Sequence, residues 1–318
     1  MVTPIPPLEP FLTYARFRFH LQVKTLMVLP PYKGAVFRGV FGAALRRLVC
    51  MARDSDCTSC PLREKCLYVA LFEPPPPADY ADAGKFRQAP RPYVLNPPLT
   101  TRQTFHPGDT LDFELVLLGP AVEALPYFIH IFQELGRRGL GRERGRFELL
   151  EVAAVTANGN YPVYARDQGT LAPFAPEAGP VTWPGDDQVR EITLEFLTPV
   201  RLKEKADLVT RLDFPQLFAA LSRRLQLLAA FYGNRAALPD LAALQRQAAT
   251  ISVTHYDLHW FDWERYSRRQ ETAMKLGGLR GQITFGGPMA AFLPYLRLGE
   301  QVHIGQGNTF GLGYFKIL

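Results

Sequence analysis

GlnValHisIleGlyGlnGlyAsnThrPheGlyLeuGlyTyr, Gln301 to Tyr314, sets Gly305, Gly307, Gly311 and Gly313 into an apolar segment close to the end of the chain. Four glycines so close together give a backbone that takes positive φ and lets a ligand approach the main chain. Asn308 and Thr309 add small polar groups at the expected tip. No Gly-Lys-Ser/Thr follows, so this is not a P-loop. Phe315 to Leu318 reads as a closing strand and not a helix, which excludes a dinucleotide fingerprint. A plain glycine-rich hairpin remains the competing reading.

An earlier stretch repeats the pattern. Gly139, Gly141 and Gly145 have the spacing of Gly305, Gly307 and Gly311. Upstream, Gly119-Pro120 followed by Leu125-Pro126-Tyr127 matches Gly287-Pro288 followed by Leu293-Pro294-Tyr295. Two ordered matches at nearly one offset indicate an internal duplication, and the period is too long for a solenoid.

The chain of 318 residues has room for about two domains. Its 47% apolar and 21% charged residues are those of a globular protein, and its net charge of +6 permits a polyanionic partner. Met1 to Pro10 lacks the pattern of a secretory signal, and no apolar run approaches a membrane span, so a cytoplasmic protein is expected.

Tyr14 to Lys24 alternates, with Tyr14, Arg16, Arg18, His20 and Gln22 on the outer face of a strand. Val36, Val40, Phe41, Ala44, Leu45 and Leu48 then recur at helical spacing, giving a helix from about Ala35 to Val49. Strands are expected at Tyr93–Leu95, Leu111–Leu118 and Phe147–Val155, with a helix over Ala121–Leu135. The order β-α-β-β-α-β is ferredoxin-like. Residues 158–187, rich in Gly, Pro and Ala, read as a linker or exposed loop. The same order then recurs: strands at Val189–Leu202, Ile251–Phe261, Gly281–Phe285 and Gly313–Leu318, helices at Phe214–Phe231 and Met289–Leu298, and Pro239–Ala249 extending the helical layer. The expected fold is therefore α+β: two tandem ferredoxin-like (RRM-like) βαββαβ domains at 1–157 and 188–318. The first carries a cysteine-containing insertion over 50–90.

Several pieces, taken in order, resemble the CRISPR-associated repeat-processing endoribonucleases of the RAMP superfamily. They are the run from Leu29 through Tyr32, Lys33 and Gly34 to Gly42, and the cysteine cluster leading into Leu71-Phe72-Glu73. Trp263 to Gln270, Gly277 to Gly281, and the C-terminal glycine loop complete the set. The resemblance implies tandem ferredoxin-like domains, a basic face for CRISPR repeat RNA, and metal-independent cleavage of precursor CRISPR RNA. It further implies crRNA and other CRISPR-associated proteins as partners.

RNA carries its own nucleophile, the 2′-OH beside the scissile phosphate. An enzyme needs to deprotonate it, protonate the leaving 5′-oxygen and stabilise the phosphorane, leaving a 2′,3′-cyclic phosphate and a 5′-OH. The resemblance puts the catalytic groups in the first loop and helix, so Tyr32 and Lys33 are the candidates, with Arg38, Arg46 and Arg47 on the helix to hold RNA. It also implies a His near position 43, where this chain has Ala43. There is no His from 21 to 105, which leaves His20 as the nearest substitute, or else an ordinary strand residue. Missing that base, the chain has a second reading: a catalytically weak or inactive crRNA-binding subunit.

Further RNA contacts are expected at Arg137, Arg138, Arg142 and Arg144 around the first glycine loop. Others are Arg265, Arg268, Arg269 and Lys275 in and after the Trp263 segment, and Gly305, Gly307, Asn308, Thr309 and Gly311 in the second loop. Cys50, Cys57, Cys60 and Cys66, spaced seven, three and six apart, form a candidate tetrathiolate. A structural zinc, an iron–sulfur cluster and plain reduced thiols all fit the pattern; the resemblance implies that catalysis itself requires no cofactor. His255 and His259 share a strand, where four residues span about 13 Å, too far for one ion. His303 borders the second loop as a further candidate RNA contact.

Overall fold

β1 (Leu12–Val23) carries the alternation into three dimensions. Phe17, Phe19, Leu21 and Val23 are buried, while Arg16, Arg18, His20 and Gln22 lie partly exposed on the other face. The computed structural model describes residues 9–52, 56–76, 89–180, 186–205, 207–262, 264–267, 272–275 and 277–318. The chain divides into two compact units, residues 14–177 and residues 178–318 together with 1–13.

In the first unit, β1 leads through the two-residue β2 (Met27–Val28) into α1 (Gly34–Val49). The insertion follows, ending in α2 (Leu67–Phe72). Next come β3 (Tyr93–Asn96), the short β4 (Thr104–Phe105) that pairs with β2, β5 (Thr110–Leu118), α3 (Leu125–Arg138) and β6 (Phe147–Thr156). The sheet runs β3-β5-β1-β6, all antiparallel. Counting the four as first to fourth in sequence, their order is second-third-first-fourth, the ferredoxin-like arrangement. Both helices pack on the phenylalanine face: Phe37 of α1 lies 5.2 Å from Phe113, Phe41 lies 4.1 Å from Phe128 of α3, and Phe132 lies 4.5 Å from Phe113. Aromatic rings of this size supply much of the buried apolar area.

Residues 158–180, the described part of the stretch expected to be a linker or exposed loop, contain strands that pair with the first sheet. β7 (Gly159–Ala165) pairs antiparallel with β6 at the sheet edge, and β8 (Glu177–Gly179) pairs with β1. An edge position tolerates Pro162, because one side of the strand needs no donor. The first unit therefore runs on to 177 instead of closing at 157.

The second unit repeats the plan. β9 (Glu191–Val200) is followed by a small ribbon, β10 (Lys203–Glu204) with β11 (Asp207–Leu208), and then by α4 (Phe214–Tyr232). Asp213 caps α4: its carboxylate accepts from the Gln216 N–H at 2.8 Å and the Gln216 side chain answers at the Asp213 N–H. α5 (Leu241–Ala248) and β12 (Ser252–Phe261) come next. The ribbon β13 (Glu264–Ser267) with β14 (Thr272–Lys275) follows, then β15 (Gly278–Gly286), α6 (Leu293–Val302) and β16 (Phe315–Ile317). The sheet order β12-β15-β9-β16 is again second-third-first-fourth. Phe214 and Phe218 of α4 both meet Phe292 at 4.9 Å beneath α6.

Candidate functional site

The loop before α1 was expected to hold catalytic groups. Lys33 is instead a clamp. Its side chain is 0% exposed, and its ammonium donates to the carbonyls of Pro30 (3.3 Å), Pro31 (3.1 Å) and Thr100 (2.6 Å). An ammonium has three protons, so its donors are committed. Burial pulls its pKa down to about 8. Tyr32 beside it is half-buried, and burial pushes its phenol well above the usual range. At neutral pH that phenol can donate a hydrogen bond but cannot take a proton.

α1 turns Phe37, Phe41, Gly42, Ala44 and Leu45 inward. Arg38 lies over the Phe72 ring at 5.0 Å, and Arg46 over Tyr68 at 5.9 Å in the field of the Cys57 and Cys50 thiols. These two arginines therefore hold α2 and its insertion against α1. Arg47 and Ala43 are exposed, and a Cβ added at neighbouring Gly39 would meet nothing within 4 Å. Position 43 offers open ground but only a methyl group.

His20 sits on the opposite face of the sheet from α1. Its Nδ1 pairs with Asp112 Oδ1 at 2.6 Å, and Glu151 is its cross-strand neighbour on the other side. Arg18 likewise pairs with Glu114 at 2.9 Å. This face is charge-balanced, and the sheet itself separates His20 from Tyr32 and Lys33. The three candidate catalytic residues are not brought together.

The two glycine loops occupy the same place in their units. Leu140 and Gly145 exchange backbone hydrogen bonds at 2.8 and 2.9 Å; Ile304 donates to Gly313 at 3.1 Å. A Cβ on Gly141 would lie 2.1 Å from the Val28 carbonyl, and one on Gly305 would lie 2.5 Å from that of Arg201. Each glycine lets its loop rest on the segment just past the unit's first strand. The equivalent pairs are therefore Gly141 with Gly305 and Gly145 with Gly313, not the pairs the spacing suggested. α6, with 10 residues, is shorter than α3, with 14, and the loop after it is longer, so each true pair lies two residues away from the pairing that the glycine spacing suggested.

The first loop is the more open to a polyanion. Arg142, Arg144 and Arg146 are exposed, with no charge partner among the described residues. Arg146 was not among the contacts expected from the sequence. Arg137 and Arg138 share Glu134, the latter at 3.8 Å. In the second loop, Asn308 and Thr309 are not at a free tip: they are 8% and 7% exposed, and Asn308 Nδ2 donates to the Leu312 carbonyl at 3.4 Å. Gly311 is buried, Gly305 and Gly307 are half-buried, and Gln306 is the exposed residue. Arg265 and Lys275 lie on β13 and β14, with side chains outside the described part, and Arg268 and Arg269 lie wholly outside the described residues.

Cys50, Cys57, Cys60 and Cys66 are all half-buried free thiols. Cys50 ends α1 and Cys66 begins α2. Burial raises the Cys57 thiol, Arg46 opposes this, and Cys66 and Cys50 lie close enough to act on it. Among the described residues, no three His, Cys, Asp or Glu groups form a metal-holding set. Nor is any helix among them long and apolar enough to cross a membrane.

Comparison with known proteins gives this geometry a family. Residues 11–176 match the AF_1859 N-terminal domain, and residues 194–315 match the CRISPR-associated endoribonuclease Cas6. An uncharacterized protein of Archaeoglobus fulgidus is 27% identical over 91% of this chain and 92% of its own. A product complex of Thermus thermophilus Cas6 has the same fold at TM-score 0.57 and 17% identity, covering 96% of this chain and 100% of that one. A partial Cas6-RT-Cas1–Cas2 complex matches at TM-score 0.59 and 16% identity over 98% of this chain, which spans only 47% of that longer one. The first match covers more than half of the sequence, so the chain belongs to the AF_1859 family; the second, in the other unit, is a similarity to the CRISPR-associated endoribonuclease Cas6.

Proposed function

We propose that this protein binds CRISPR repeat RNA and cuts precursor CRISPR RNA by attack of the RNA's own 2′-OH, leaving a 2′,3′-cyclic phosphate and a 5′-OH. The observation that carries the RNA-binding part is the set of exposed guanidiniums on Arg142, Arg144 and Arg146, without a charge partner among the described residues. Such groups neutralise phosphates in proportion to their number. The Cas6 match over 194–315 supports the cleavage part. RNA orientation and electrostatic stabilisation of the phosphorane then supply the rate enhancement. In this reading the nucleophile is the substrate's own 2′-OH and protein groups supply the proton transfers, without a metal.

A second reading, in which the protein holds crRNA without cutting it, draws on a specific observation. Lys33 is saturated by carbonyls, Tyr32 keeps its proton, His20 faces the other way and position 43 is Ala. A missing general base costs about 10² to 10⁴ in rate. Titrating labelled repeat RNA with the protein separates the readings: bound and cut RNA supports the first, bound and intact RNA the second, and unbound RNA contradicts both. Association with other CRISPR-associated proteins is part of the proposal, and co-purification with Cas1 and Cas2 tests it.

A further inference from the structure

Each glycine loop begins where a helix ends, and the two units differ at that point. α3 is followed by Gly139, at φ 85° and ψ 154°, whose N–H donates to the Leu135 carbonyl at 2.8 Å. α6 is followed by His303, at φ 61° and ψ 167°, whose N–H donates to the Gly299 carbonyl at 2.8 Å. The two residues are structural equivalents. One unit uses glycine for a backbone conformation that other residues rarely adopt; the second unit uses a bulky histidine.

The imidazole is 0% exposed. Its Nδ1 donates to the Leu312 carbonyl at 3.1 Å, which fixes the tautomer and leaves Nε2 buried with no hydrogen-bond partner among the described residues. The ring stacks on Tyr314 at 4.9 Å with an interplanar angle of 10°. Around it, Thr198 Oγ1 donates to the Gly311 carbonyl at 2.7 Å and accepts from the Tyr314 N–H at 2.9 Å. The imidazole thus joins the first residue of the loop to its far end and supports the tyrosine that leaves it. A strained backbone and an orphaned ring nitrogen both count against this placement, and such outliers gather where a site is held in one geometry.

We propose that His303 is a positioning residue, one that holds the second glycine loop in the single conformation that receives repeat RNA. The proposal rests on the RNA-binding reading above, whose carrying arginines lie in the first loop, and extends it to the second loop, where Gln306 is the exposed residue. Its burial and the neighbouring Arg224 keep the ring neutral, so it acts as a strut and not as a charge for phosphate.

The test uses two full-length variants. His303→Phe keeps the bulk and the stacking but cannot donate; His303→Asn tolerates positive φ and still offers an amide donor. Both are checked for native circular dichroism. Repeat-RNA affinity should fall about tenfold or more in His303→Phe and stay within about threefold of wild type in His303→Asn, the scale of one lost buried hydrogen bond. Wild-type affinity in a folded His303→Phe, or a tenfold loss in a folded His303→Asn, would overturn the proposal. Hydrogen exchange of the Gly311–Tyr314 amides supplies an RNA-independent readout. These amides should exchange about tenfold faster in His303→Phe while those of β9 do not change. If wild type binds no repeat RNA, the RNA-binding reading fails. The exchange result still decides whether His303 orders the loop, and unchanged exchange in a folded His303→Phe contradicts it.

Discussion

The Lys33 ammonium donates to the Thr100 carbonyl at 2.6 Å, tying the entrance of α1 to the segment before β4, 67 residues further on. Lys33→Met keeps the stem and removes the donors. It should lower stability by about 1–3 kcal/mol by removing the hydrogen bonds to the carbonyls of Pro30, Pro31 and Thr100. RNA cleavage per folded molecule should persist, because the ammonium is committed to the fold. A folded, stable Lys33→Met that binds RNA but does not cut would return Lys33 to the chemistry.

Stability should also report His303 through pH. Burial, with Arg224 from α4 close by, lowers its pKa to about 3; Leu312 opposes this through the hydrogen bond, and Tyr314 covers the ring face. Above the ordinary histidine value the ring is neutral in both folded and unfolded chains, and the stabilisation is fully present. As pH falls from about 6.5 toward about 3, the unfolded chain takes up a proton that the folded one refuses, so stability is lost across that window. Denaturant titrations should show a shallower acid loss in His303→Asn than in wild type; parallel curves would contradict this.

Arg142, Arg144 and Arg146 carry a prediction about salt. Each phosphate contact contributes about −0.7 to the slope of log K against log salt for single strands. Arg142→Ala, Arg144→Gly and Arg146→Ala together should make the slope shallower by about two. Glycine is chosen at 144 because Arg144 has φ 50°, which glycine takes without strain. Thermal stability should change by no more than about 0.5 kcal/mol, since these are surface changes. An unchanged slope would move the RNA off this loop.

Ala43 is exposed on α1 beside open space at Gly39. Ala43→His should raise the single-turnover cleavage rate by about 10² to 10⁴ without tightening RNA binding, if only the base is missing. No gain in rate would show that the scissile phosphate does not approach this face.

We propose that one structural zinc draws together the four cysteines of the insertion, whose thiols form no metal-holding set as they stand. Elemental mass spectrometry of the purified protein should find about one zinc per chain, released when Cys57→Ser and Cys60→Ser are combined. A metal-free protein whose four thiols all react with a thiol reagent would sink it.

The two ferredoxin-like units were legible because period-two and period-3.6 patterns are local: β1 and α1 announce themselves within a dozen residues. The face of His20 was legible for the same reason, since alternation alone set it opposite Phe19 and so opposite α1. What the sequence hid was non-local. Lys33 reads as an exposed cation until Thr100 arrives from 67 residues away. Glycine and proline in 158–187 masked β7, whose strand character comes from pairing with β6. The echo between the loops was real but misaligned, because α6 is shorter than α3 and the loop after it is longer, and nothing in the spacing of glycines marks His303 as the partner of Gly139.

The most direct test is incubation of end-labelled repeat RNA with the protein in EDTA, followed by analysis of the product ends. The account predicts a single cut that leaves a 2′,3′-cyclic phosphate and a 5′-OH. RNA that stays intact across a protein titration, or that is cut only when a divalent metal is restored, would contradict it.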